Sequence, residues 1–316
     1  MKAAIIEQWG TPDVIEIKDI AKPIPAEDQI LIRVFASSVN PIDWKQRKGN
    51  HKYILGSPFP ITLGYDVCGE VAETGKLITK FKIGDLVLGD LDNKYGGAFA
   101  EFALGHEKCF ALKPKNQSIE EAASTTLVSL TALQAMRDKA SLSKGKTILI
   151  NGASGGVGHV AVQMAKILGA KVIAVASSKN KEFVDSLGAD VFVDYKTQDI
   201  LASAEKVDAF FDVIGNYSFL KTRKLLKPGG VYVSTLPRPK ILFHKVAQPF
   251  SNGKKVKAIL RKQNSDDLNQ ISKWIDEGKL KIHIDKTFPL EKVSEAHTYA
   301  ETGRTRGKLA IFIQEK

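Results

Sequence analysis

The sequence predicts an α/β protein in two parts, a strand-rich domain and a doubly wound domain on a parallel sheet. Three observations predict it. The first third carries short β-branched or alternating segments divided by Pro and Gly clusters. From Lys146 onward, strands alternate with helices. A glycine-rich turn stands between an apolar strand and an amphipathic helix. The 316 residues exceed one ordinary core and suit two domains. At 43% hydrophobic and 26% charged, the composition is that of a globular protein, not a disordered chain.

Taken in order, Lys2–Glu7, Ile15–Asp19, Gln29–Ser37 and Asp66–Thr74 read as strands. Phe81–Asp85 turns into a strand over Leu86–Gly89, and Gly96–Ala103 is a loop leading into another. Such closely spaced strands suggest a compact barrel-like domain. Ile119–Ala140 reads as one Ala- and Leu-rich helix. Then come strand Thr147–Asn151, helix Gly156–Leu168, strand Lys171–Ala176, helix Asn180–Leu187, and strands Val191–Asp194 and Ala209–Ile214. Helix Tyr217–Leu226 ends at Lys227-Pro228-Gly229-Gly230; strand Val231–Thr235, helix Asp266–Glu277 and strand Lys281–Ile284 close the rhythm. Gly307–Phe312 is one more β-type strand, so the chain returns to its first domain. The expected boundaries are residues 1–125, 126–285 and 286–316.

Two cysteines, Cys68 and Cys109, supply neither a disulfide framework nor a four-thiolate zinc site, and both read as buried. The six histidines, His51, His106, His159, His244, His283 and His297, lack local partner sets for a metal and read as surface or packing residues. No apolar run is long enough to span a bilayer, and Met1–Glu7 reads as a strand, not a targeting segment. A cytoplasmic location is the expectation. The net charge of +11 favours anionic partners. Lys240, Lys245, Lys254, Lys255, Lys257, Arg261 and Lys262 form a basic segment without acids. A solvated rim is one reading of it; weak contact with an anionic membrane or nucleic acid is the other.

The sharpest signal is Asn151-Gly152-Ala153-Ser154-Gly155-Gly156-Val157-Gly158. It matches the dinucleotide fingerprint with Ala153 in the first glycine position and Gly155 and Gly158 in the second and third. Gly155 lets backbone approach a pyrophosphate, Gly158 lets helix approach sheet, and the helix N-terminus offers N–H groups to phosphate. The next strand ends in Ser177, Ser178, Lys179, Asn180 and Lys181 with no acid to hold a ribose 2′-hydroxyl. Hydroxyls and ammonium groups suit a 2′-phosphate, so NADP(H) is the expected cofactor.

With these pieces placed, the chain resembles the zinc-free quinone oxidoreductase branch of the medium-chain dehydrogenase/reductase superfamily. The residues that carry the resemblance are Ser38–Asp43, Pro60–Val71, Gly84–Val87, Gly97–Glu101, Leu130-Thr131-Ala132, the glycine turn, Leu187–Asp190, Lys227–Gly230 and Arg306-Gly307-Lys308. The resemblance implies a GroES-like β-barrel-type domain plus a doubly wound Rossmann domain, with the active site between them. It places nicotinamide near Thr131 and the loop Val213-Ile214-Gly215, and Tyr195 on the adenosine ribose phosphate; Lys308 joins this cofactor set. Zinc-dependent relatives carry a Cys near the Asn40 position and a His-Glu pair where this chain has Tyr65-Asp66. Lys45 stands where many soluble members have Tyr, as in the chloroplast-envelope and reticulon-interacting homologues.

The implied reaction is hydride transfer from NADPH to a small electrophile, a quinone or an α,β-unsaturated carbonyl, by a homodimer without metal. Candidate donors to the developing oxyanion are Asn40, Lys45, Tyr53 and Thr131. Asn40 and Asp43 have a second reading as braces of the pocket loop, and Lys45 a second reading as a solvent-facing charge.

Overall fold

The computed structural model describes residues 1–50, 52–203, 205–236 and 253–316. His51, Lys240, His244 and Lys245 therefore lie outside the described residues. The chain divides into two compact units: Met1–Leu127 with Gln263–Lys316, and Val128–Lys262.

In chain order the first unit opens with β1 (Lys2–Ile6), β2 (Ile15–Asp19), β3 (Gln29–Val39), β4 (Ile61–Thr62), β5 (Asp66–Thr74), β6 (Leu86–Asp90), β7 (Phe102–His106) and β8 (Phe110–Leu112). The second holds β9 (Thr147–Asn151), β10 (Lys171–Ala176), β11 (Val191–Asp194), β12 (Val207–Asp212), β13 (Leu226–Ser234) and β14 (Lys255–Ala258). The chain then completes the first unit with β15 (Ile284–Pro289) and β16 (Lys308–Phe312).

In the first unit, a seven-stranded sheet runs β15-β16-β3-β5-β6-β8, with β7 also on β3. A smaller sheet runs β2-β1-β4. Strand β3 is apolar on both faces because both are covered: Ile30, Leu31, Ile32, Val34, Phe35 and Ala36 are all buried. One core cluster gathers Val34, Val67, Val87 and Phe110, another Ile6, Leu63, Phe99, Val293 and Leu309.

In the second unit all six strands are parallel, in the order β11-β10-β9-β12-β13-β14. Counted from β9 this is 3-2-1-4-5-6, the doubly wound order, whose direction reverses between β9 and β12. Leu149, Ile173, Val175, Phe210 and Tyr232 fill part of its core. Ligands of such sheets bind where the order reverses, beyond the carboxyl ends of the strands.

Four expectations change. The segment read as one helix over Ile119–Ala140 breaks into Ile119–Ala123, Thr126–Gln134 and a π turn over Ala135–Lys139. At the break, Thr125 Oγ1 donates to Glu121 O at 2.8 Å, a side-chain bond that competes with the helical ladder. The Lys227–Gly230 run, expected to end a helix, lies inside β13, where its pairing with β12 shifts register. The return to the first unit comes at Gln263 rather than 286. Helix Ser265–Asp276 thus belongs with β8: Asn116 Nδ2 donates to Asp276 O at 2.9 Å, and Gln263 Nε2 to Leu91 O at 3.2 Å. The strand expected at Lys281–Ile284 is instead β15, parallel to β16.

Candidate functional site

Register builds the first cluster. Antiparallel pairing sets Ser38 opposite Asp66 on β5 and Val39 opposite Leu309 on β16. Asp66, Asn40 and Lys308 thereby meet although they are distant in sequence. The buried Asp66 carboxylate accepts from Ser38 Oγ (2.6 Å), Asn40 Nδ2 (2.8 Å), Leu127 N (2.7 Å) and the Thr126 hydroxyl. Lys308, 2% exposed, donates to Asn40 Oδ1 (2.6 Å), Val39 O (3.2 Å) and Asp66 Oδ2 (3.4 Å). Burial alone would push the Asp66 carboxyl up; Lys308, Ser38, Thr126 and Asn40 outweigh it and hold it below the usual range. Burial pulls Lys308 below the ordinary lysine value against the attraction of Asp66, Asp43 and Asp90.

Asn40 is 1% exposed and both ends of its amide face these partners; Nδ2 also reaches Ser38 O at 3.4 Å. Both groups of the Asn40 amide are thus engaged within the protein. Asp43, buried one turn on, accepts from Asn40 N at 2.6 Å and closes the start of helix Pro41–Arg47. Lys45 projects from that helix half-buried, its ammonium 5.3 Å from the Trp44 ring centroid. Burial lowers its pKa, and no carboxylate pairs with it among the described residues. Tyr53 does not join the cluster: its side chain is 91% exposed, with Lys52 over its ring. An open depression of about 480 Å³ in this unit, lined by Ser118, Glu120, Glu121 and His283 among others, contains none of the expected site residues.

In the second unit the glycine turn leaves β9 at Asn151. Gly152 carries the positive φ of +89°, and a Cβ there would lie 2.7 Å from Ile214. The left-handed turn position is therefore Gly152, one residue before the Ala153 expected to stand for the first glycine; Ala153 is buried and donates its N–H to Val175 O at 2.9 Å. A Cβ on Gly158 would meet Gly152 O at 2.0 Å, so helix and turn touch there. A Cβ on Gly155 would meet only that carbonyl at 3.6 Å, an ordinary contact. The first helical bond runs from His159 N to Gly155 O, so the N–H groups of Gly156, Val157 and Gly158 precede the ladder.

Beside the turn, Ser154 Oγ accepts from Asn180 Nδ2 at 3.0 Å. Ser178 and Lys179 are exposed and Ser177 half-buried. Lys181 is paired with Asp185. Tyr195 is exposed just past β11. On the other side of the strand-order reversal, Val213-Ile214-Gly215 follows β12: Gly215 has φ +75°, Val213 N donates to Asn151 O at 3.2 Å, and Ile214 is exposed. Asp212, which sequence reasoning passed over, organises this loop. Fully buried, it accepts from Asn151 Nδ2 (2.8 Å), Gly215 N (2.8 Å), Tyr217 N (3.0 Å) and Tyr232 OH (2.8 Å). Thr131 is buried in helix Thr126–Gln134. The structure gathers the turn, Ser177–Lys179 and the Val213 loop at one end of the second unit's sheet. It places Asn40, Asp43, Lys45 and Lys308 in the first unit.

Residues 26–115 match the family described as alcohol dehydrogenase GroES-like domain, and residues 187–311 that described as zinc-binding dehydrogenase. A 2-methylene-furan-3-one reductase of Solanum lycopersicum is 36% identical over 98% of this chain and 79% of its own length. An NADPH-dependent alkenal/one oxidoreductase, chloroplastic, of Arabidopsis thaliana is 35% identical over 99% and 79%. The solved quinone oxidoreductase of Coxiella burnetii superposes with a TM-score of 0.93, at 34% identity over 99% of both chains. The chain belongs to the medium-chain dehydrogenase/reductase superfamily.

That superfamily pairs a GroES-like domain with a Rossmann domain, and the two units have those architectures. Its dinucleotide fits the residues present. Gly158 is required by the protein's own packing, whereas Gly155 is not; a side chain there would fill the space in front of the helix amides that a pyrophosphate needs. Where zinc-dependent members of the superfamily hold metal, Asn40 Oδ1 and Asp66 Oδ2 accept from the Lys308 ammonium, and a cation there would have to displace a buried positive charge. Among the described residues, no group of three or more His, Cys, Asp or Glu is placed to hold a metal ion, and no helix is long and apolar enough to cross a membrane.

Proposed function

We propose that this chain is an NADPH-dependent oxidoreductase that delivers hydride to a quinone or to the β-carbon of an α,β-unsaturated carbonyl. The observation that carries the reading is the open face at Gly155 on a doubly wound sheet, in a chain whose relatives are named as alkenal, furanone and quinone reductases. When bound, NADPH supplies the hydride. The amides of Gly156, Val157 and Gly158 hold its pyrophosphate at the positive end of the helix. Ser177, Ser178 and Lys179 face the 2′-phosphate, and Asp212 fixes Val213-Ile214-Gly215 beside the ring.

Hydride addition to an enone moves negative charge onto the carbonyl oxygen. Lys45 is the group suited to meet it, because it is cationic, half-buried and without a carboxylate partner among the described residues. Asn40 and Asp43 hold its helix. A proton from water or a side chain then completes the reduction. The same reading makes the protein a cytoplasmic homodimer that works without metal.

The test is NADPH consumption across quinones, enals and enones after exhaustive chelation. We expect turnover to survive chelation. Lys45→Met should lower kcat on enones by roughly a hundredfold, the loss typical of one oxyanion donor, and less on quinones, whose reduced oxygen is already a good anion. Activity lowers as pH rises through the Lys45 pKa, and the fall begins below the ordinary lysine value because burial depresses it. No consumption with any acceptor, or dependence on one zinc per chain, would falsify the reading.

A further inference from the structure

Helix Pro41–Arg47 turns Asp43, Gln46 and Arg47 inward, the i, i+3, i+4 face, and carries Lys45 off that face. Each inward residue is held. Asp43 closes the first turn, and Gln46 Nε2 donates to Tyr65 OH at 2.6 Å and to Lys94 O at 3.3 Å. The Arg47 side chain is fully buried and its guanidinium pairs with Glu301; the next residue, Lys48, pairs with the other oxygen of the same carboxylate. Glu301 ends helix Val293–Glu301, whose Val293, Ala296 and His297 are buried and whose Ser294 Oγ donates to Pro12 O at 2.8 Å. One carboxylate on a fixed helix therefore grips two consecutive cations at the far end of the helix that displays Lys45. The grip is costly. Arg47 Nε and Nη1 find no hydrogen-bond partner among the described residues, so the guanidinium is buried with Glu301 as its compensating charge.

We propose that Glu301 is a positioning residue for the reduction: through Arg47 and Lys48 it fixes the end of helix Pro41–Arg47, and with it the direction of the Lys45 ammonium toward the substrate oxygen. This rests on the reading of Lys45 as the oxyanion's cation. Removing the Glu301 charge leaves Lys45 chemically intact and displaces it, and a displacement of about 1 Å can cost a catalytic step up to a hundredfold.

The experiment is a double-mutant cycle in the full chain. Glu301→Gln is expected to lower kcat with an enone by roughly tenfold while NADPH affinity stays within about twofold, with Glu301→Asp recovering most of the loss. In a Lys45→Met background the Glu301→Gln loss should disappear, because there is no longer an ammonium to aim. Glu301→Gln uncovers the buried Arg47 charge, so Lys48→Met, which cuts only the more exposed arm, is run beside it. We expect roughly a threefold loss from Lys48→Met, again only when Lys45 is present, and this arm decides the matter if Glu301→Gln does not fold. Equal losses in both backgrounds would reduce Glu301 to a stability residue and overturn the proposal while leaving the Lys45 reading standing. A Lys45→Met chain as active as the wild type would instead remove the Lys45 reading, and this proposal with it.

Discussion

Lys179 and Lys181 look interchangeable in sequence, two residues apart after the same strand, but Asp185 engages Lys181 and no ion pair engages Lys179 among the described residues. Lys179 should therefore carry more of the choice between NADPH and NADH. We expect Lys179→Ala to narrow that preference roughly tenfold or more, the value of one charge-assisted hydrogen bond of about 1.5–3 kcal/mol, and Lys181→Ala to narrow it less. Dissociation constants for both cofactors check this; equal affinities in the wild type would remove the Ser177–Lys181 segment from the argument. At this scale the sequence was only partly legible. The absence of an acid after β10 is a local fact, readable directly. The role of Asn40 is not local, because its partners Asp66 and Lys308 lie 26 and 268 residues away and only strand register brings them together. Asp212, Arg47 and Glu301 were hidden for the same reason: a buried charge reads like a surface one until its partner is placed.

At the scale of elements, the strand, turn and helix over Thr147–Ile167 assign different duties to two glycines. Gly158→Ala would drive a methyl into Gly152 O and should destabilise the second unit or prevent its folding. Gly155→Ala has room in the protein and a permissible φ of −86°. Its melting temperature should move by no more than about 2 °C, while NADPH affinity falls roughly tenfold or more, about 1.4 kcal/mol. Loss of stability in both variants, or of binding in neither, would contradict the fit to a dinucleotide. Strands β2, β5, β9, β10 and β11 were legible to the residue, since each is a short β-branched or apolar run closed by turn residues. The Ile119–Ala140 segment was not, because Thr125 breaks the helix through a side-chain bond that hydrophobic periodicity does not register.

For the molecule as a whole, acid is the condition that tests the packing most directly. His297 is fully buried against Phe99, and burial, with the Arg47 charge second, depresses its pKa from 6.5 to about 3. The folded chain keeps it neutral while the unfolded chain protonates it. Stability is therefore complete above the unfolded value and lost as pH falls through the interval below it, at up to about 1.4 kcal/mol per pH unit for one proton. Carboxylates held low, such as Asp66 and Glu301, add their own losses from about pH 5 downward, in the wild type and in a His297 variant alike. Denaturant midpoints measured between about pH 6 and pH 4 should fall for the wild type and fall less steeply for His297→Leu; equal slopes would place the acid sensitivity elsewhere.

The pairing of β16 with β3 also has a consequence for how the protein is made. Lys308 meets Val39 across 269 residues of chain, and the whole second unit is encoded between them. At about 5–20 residues per second, a ribosome needs roughly 15–55 s to travel that distance. Throughout it the nascent first unit has Asp66 without its ammonium and β3 with an unfilled edge, while the second unit emerges uninterrupted and can finish first. β16 leaves the tunnel only after the second unit and closes the earlier half, so the open edge of β3 is where a chaperone holding the growing chain would be needed most.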